Sequence, residues 1–137
     1  MLWLIFALLS AFFAALVAIF GKIGIRGVDP VVATTVRAAV MVVFALIFTF
    51  ASSKSLLDID KKSLFYIALS GLAGVLSWIF YFAALKYGKV SQVVPVDRAS
   101  LLITIALAAI FLGEKLSFKT IAGAVLVFIG ILIISLK

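Results

Sequence analysis

An all-α integral membrane fold, a five-transmembrane-helix bundle, is predicted by three features of the chain. Five apolar stretches of membrane-spanning length fill its 137 residues. Its composition, 67% hydrophobic and 12% charged with a mean hydropathy of +1.44, does not describe a water-soluble domain. The apolar runs are also continuous. Lipid leaves the backbone only helices or closed barrels, and runs without strand-like alternation select helices. The spans are Leu2 to Phe20, Val31 to Phe50, Leu64 to Leu85, Val90 to Leu112 and Phe118 to Leu136. Each has roughly the 17–25 residues that cross about 30 Å of hydrocarbon.

The first span has Ser10 as its only polar side chain beyond the indole of Trp3. No basic residue precedes it, and its apolar run exceeds the roughly 7–15 residues of a signal-peptide core, so it is read as a retained helix. Asp29 and Pro30 supply an N-cap and a first-turn proline for the second span. Gly88 and Gly113 suit the left-handed residue that ends the third and fourth, and Ser117 caps the fifth. Small residues allow close helix approach: Ala11 with Ala15, Ala14 with Ala18, Ser70 with Gly74, and Gly123 with Gly130. Trp3, Tyr66 and Tyr87 fit the interfacial aromatic belt.

The connecting loops are too short for a soluble domain and no internal repeat is visible, so residues 1–137 form a single membrane domain. Ten of the twelve Lys and Arg behind the net charge of +7 flank spans, where they meet lipid headgroups rather than nucleic acid. No cysteine or histidine is present, which excludes disulfides, thiol chemistry, the common zinc sets and imidazole proton relays. Neither a nucleophile with its base nor a phosphate-cradling glycine loop occurs, so no enzyme, metal or cofactor is expected. Glu114, in the turn after the fourth span, is expected to pair with a lysine or cap the fifth helix.

Lys and Arg normally accumulate on the cytoplasmic side of a membrane protein. Here the five on one face (Lys54, Lys61, Lys62, Lys115, Lys119) equal the five on the other (Lys22, Arg26, Lys86, Lys89, Lys137). No single orientation is specified. The remaining arginines, Arg37 and Arg98, fall inside spans.

Charges at depth carry the functional expectation. Arg37 and Asp97 each lie about seven residues into helices that start on one face, hence about 10 Å deep. An Arg37–Asp97 ion pair is expected, because a lone charge in a span costs about 2.5–3.5 kcal/mol on insertion scales. Arg98 is about 100° around the helix from Asp97 and either joins the site or snorkels to the headgroups. Ser91, Gln92, Asp97, Arg98, Ser100 and Thr104 make the first half of the fourth span polar, whereas Ile105 to Leu112 is apolar. Pro95 cannot donate to the Ser91 carbonyl, so it either bends the helix and frees an oxygen for a ligand or is a plain kink. Trp78 and Tyr81 lie at a similar depth and either wall a cavity or simply pack. Arg37, Trp78, Tyr81, Gln92, Pro95, Asp97 and Arg98 are therefore the candidate substrate-binding or coupling residues.

The run from Ala83 to Ile133, with its Ala-Leu-Lys-Tyr-Gly helix end, Leu-Gly-Glu turn and Gly-rich last helix, resembles the EamA-type repeat of the drug/metabolite transporter superfamily. The Pro-Val-Asp-Arg-Ala-Ser stretch at 95–100 is similar to its five-span bacterial and archaeal branch. Members commonly hold two such units in ten spans, so the resemblance makes this chain one half of a ten-helix inverted-repeat transporter fold. It implies a multi-pass protein of the cell (inner or plasma) membrane that moves small metabolites by alternating access. With the charge balance, it implies an antiparallel, dual-topology homodimer around the site, with a parallel dimer or a heterodimer with a related chain as the alternatives. With Arg37, Arg98 and Asp97 all charged, each protomer holds one excess positive charge within its spans, which favours an anionic or zwitterionic substrate over a cation. Small multidrug resistance transporters resemble the chain in size, but they have four spans and an essential glutamate in the first, where this chain has none. The competing expectation is a non-transporting membrane subunit or lipid-carrier flippase component.

Overall fold

The computed structural model describes residues 2–53, 55 and 59–135. Lys54 and Lys137 of the charge balance, and Leu136 at the expected end of the fifth span, lie outside them. The described residues form α1 (Leu2–Gly24), α2 (Pro30–Ala51), α3 (Lys61–Tyr87), α4 (Val90–Asp97), α5 (Ser100–Phe111) and α6 (Phe118–Ser135). α4 and α5 are successive parts of one span, so five segments are long and apolar enough to cross a membrane. The all-α membrane fold class is what the composition demanded. Two compact units result, Met1–Tyr87 with α1 to α3 and Gly88–Lys137 with α4 to α6.

Helix punctuation explains most boundaries of the first unit. α1 runs to Gly24, four residues past the expected Phe20, which carries Lys22 out of the expected loop and into the helix's last turn. The chain then turns at Gly27, whose φ of 74° is readily available only to glycine. The Asp29 carboxylate accepts a 2.8 Å hydrogen bond from the Val31 N–H, and Pro30 opens α2, as expected from the Asp-Pro pair. α3 starts at Lys61 rather than Leu64, because the Asp60 carboxylate accepts from the Ser63 N–H at 2.9 Å and caps an earlier turn.

α3 packs against both α1 and α2. At the α1–α3 contact, Gly21 lies so close that an added Cβ would stand 3.2 Å from Phe82 Cε1 and 3.5 Å from Leu85 Cδ1. That approach lets the Lys22 ammonium donate to the Leu85 carbonyl, in the last turn of α3. A cation there also complements the negative end of the helix dipole. Ala18, Ile25, Phe82 and Leu85 form the small buried apolar core of this unit.

In the second unit, α6 packs against α4 and against α5. The expected single fourth helix is interrupted. After Pro95, the Ala99 N–H bonds the Val96 carbonyl at 2.9 Å and the Leu101 N–H bonds the Arg98 carbonyl at 3.0 Å. These i→i+3 bonds tighten one turn where a proline without an N–H weakens the ladder. Gly113 has a φ of 66° and ends this span as expected. Gly88 is not left-handed, so the expected αL terminator of α3 is corrected: positive φ among the described glycines occurs only at Gly27 and Gly113. Ser117 caps α6 through its hydroxyl oxygen, which accepts from the Thr120 N–H at 3.1 Å. Ser117, not Glu114, therefore fills the cap position. Ile131 is the buried apolar side chain of this unit among the described residues.

Candidate functional site

α2 and α3 run antiparallel, with Thr34, Arg37, Ala38, Met41 and Val42 ascending one wall of a groove as Trp78, Val75, Gly74 and Gly71 descend the other. Residues three or four apart on each helix share a face, so both walls are continuous stripes. The space between them is ≈ 360 Å³. A neighbouring hollow of ≈ 320 Å³ is bordered by Phe20, Gly21, Gly24, Val28, Ala33, Val36 and Phe82. Arg37 lines both hollows.

The Arg37 guanidinium carbon lies 3.1 Å from the centroid of the Trp78 ring. A guanidinium over an indole gains cation–π attraction and sheds little hydration energy, because its charge is delocalised. Trp78 is in turn held by Tyr81, edge-on with centroids 5.2 Å apart, and by Phe82 at 5.8 Å. The face of the guanidinium is thus covered. Its edge is not satisfied: Nη1 is buried and has no hydrogen-bond partner among the described residues. Thr34 is buried nearby, and its hydroxyl donates to the Pro30 carbonyl at 2.8 Å, so that proton is already used. Such an orphan donor in a membrane-spanning helix marks a place for an acceptor.

The structure therefore brings Arg37, Trp78 and Tyr81 together. Gln92, Pro95, Asp97 and Arg98 share α4 and its end in the other unit. There Gln92, Pro95 and Asp97 are half-buried and Arg98 is exposed. The tightened turn takes the Leu101 N–H away from the Asp97 carbonyl, and Pro95 offers no N–H to Ser91. A double-mutant cycle, rather than geometry, tests the expected pairing of Arg37 with Asp97. Sequence reading overlooked Thr34, Met41 and Gly71. Their signal was periodicity: 34, 37/38 and 41 on α2 and 71, 74/75 and 78 on α3 are the i, i+3/i+4, i+7 stripes of facing helices.

A family model described as the EamA-like transporter family matches residues 1–136. A Sinorhizobium protein described as an uncharacterized transporter in the cobO 3′ region is 36% identical over 135 residues, covering 97% of this chain and 96% of its own. An uncharacterized protein of Methanocaldococcus jannaschii is 36% identical over 84 residues, 61% of each chain. No solved structure matches.

Proposed function

This chain belongs to the EamA-like transporter family, and we propose that it carries a small metabolite across the cell membrane by alternating access, as an antiparallel dual-topology homodimer. The observation that carries this reading is the Arg37 guanidinium, stacked on Trp78 beside an open groove within a spanning helix, with a buried N–H unpartnered. A purely structural arginine at that depth would be expected to find acceptors or snorkel to the interface.

Two further features support the dimer. Lys and Arg divide equally between the two loop faces, which leaves insertion undirected. Each unit also leaves most of its large apolar side chains exposed, so they meet lipid or a second copy. In an inverted copy, the Arg37 site would lie about 10 Å from the opposite face of the bilayer. Rocking of one copy against the other would then expose the substrate to each side in turn. Transport of this kind needs no covalent step.

The test is flux into and out of liposomes containing only the purified chain, screened over small metabolites. Wild-type flux that Arg37→Gln and Asp97→Asn abolish is the expected result, and non-additive losses in the double variant would report coupling between the two residues. Absence of flux, together with a larger membrane protein that copurifies in stoichiometric amount, would replace this reading with that of a non-transporting subunit.

A further inference from the structure

The groove between α2 and α3 allows the substrate class to be narrowed, an inference that rests on the transporter reading above. The geometry points to a small organic monocarboxylate with an apolar body: its carboxylate meets the in-plane edge of Arg37, and its body lies along the glycine-lined wall of α3.

Charge is the first constraint. Among the described residues, Arg37 is the one ionisable side chain that lines either hollow. A single positive group amid apolar walls balances a single negative charge. A cation is repelled, a zwitterion strands its ammonium group in an apolar groove, and a dianion leaves one charge uncompensated.

Orientation is the second. The indole of Trp78 lies 3.1 Å from the guanidinium carbon and covers the face of that group, so an acceptor must approach in the guanidinium plane. Nη1 is a donor on that edge, buried and unpartnered. A planar carboxylate fits the edge of a planar guanidinium through parallel N–H···O bonds. Thr34 has committed its proton to Pro30, which leaves Arg37 to supply the donors.

The wall is the third. A Cβ built on Gly71 or Gly74 would meet nothing within 4 Å, so the α3 wall is set back at two positions about one turn apart on the face that carries Trp78. The other wall offers Ala38, Met41 and Val42. A space of ≈ 360 Å³ falls at the small end of ligand sites, which run from about 300 to 1,000 Å³. An aromatic or branched acid fits that space.

Trp78 also reports on the site. The full chain, purified in neutral detergent with Trp3→Phe so that Trp78 is its remaining tryptophan, is titrated with 4-phenylbutyrate, the isosteric 4-phenylbutyramide and 4-phenylbutylamine. Saturable quenching by the acid is expected, with the amide and amine weaker by about tenfold or more, the scale of a lost charged hydrogen bond. Arg37→Gln should abolish that preference. Gly74→Leu, whose side chain enters the open groove, should abolish binding altogether while leaving Arg37 in place. Far-ultraviolet circular dichroism of both variants shows whether the helices persist. Equal quenching by all three probes, acid preference surviving in Arg37→Gln, or quenching by dioleoylphosphatidylglycerol but not by the free acid would each overturn the assignment. Binding without flux of the acid would remove the transporter reading and keep the site. Flux of another metabolite without acid binding would do the reverse.

Discussion

Arg37 persists inside a hydrophobic span because the cost of its charge is shared. The delocalised cation lies on the Trp78 ring, which is wedged by Tyr81 and Phe82. Trp78→Leu should therefore destabilise the first unit by about 1–2 kcal/mol, the range of a partly desolvated cation–π pair; the mid-point of denaturant unfolding in detergent measures it. Arg37→Lys should not rescue ligand binding, since an ammonium group is a strongly hydrated point charge without the planar edge. Outside the membrane, Asp60 offers a pH-dependent contact. The Ser63 hydroxyl, followed by the Ser63 N–H, holds its carboxyl below the usual aspartate range. A depressed carboxyl pKa contributes stability above its unfolded value and loses it as pH falls through the lower folded value. Amide exchange in the first turn of α3 should accordingly speed up, relative to its intrinsic rate, only in that acidic window. Asp60→Asn should remove the pH dependence, which exchange measured by mass spectrometry would show.

Among the elements, the α1–α3 contact depends on one missing side chain. Gly21→Ala would place a methyl group 3.2 Å from the edge of the Phe82 ring, which can yield by rotation, while improving helix propensity by up to about 1 kcal/mol. A near-neutral effect is expected. Gly21→Leu cannot be absorbed so easily: it should cost about 1–3 kcal/mol by overpacking and pull Lys22 away from the Leu85 carbonyl. Thermal unfolding of the two variants side by side separates these outcomes. The contrast also shows which features the sequence displays. Spans are legible because lipid imposes one rule on every residue, and the Asp29 and Ser117 caps because each side chain serves a neighbour a few residues away. Gly21 carries no such local mark, since its role depends on Phe82 and Leu85 some 60 positions later in the chain. Pro95 announces a weakness in its helix but not where the tightened turn falls, at residues 96–101. Arg37 and Trp78 stand out as unusual residues in a span, whereas Gly71 and Met41 become informative only once α2 and α3 are known to face each other.

For the whole molecule, the balance of basic residues makes a prediction that separates an inverted pair from a parallel one. Lys61 and Lys62 lie on one loop face, and Lys86 and Lys89 on the other. Replacing the first two with serine should leave the second face richer in cations and direct it to the cytoplasm; replacing the last two should do the opposite. Reporters fused at the C-terminus should score on both sides of the membrane for the wild type and on one side for each variant. None of the four lysines lines the Arg37 groove, so the binding hollow is untouched. If transport requires opposed copies, either variant expressed alone should lose flux, because it can supply only one orientation. Expressed together, the two should restore it, since each then provides the orientation that the other lacks. Full flux from one variant inserted in a single direction would show that the working unit is parallel or monomeric, and the inverted dimer would have to be abandoned.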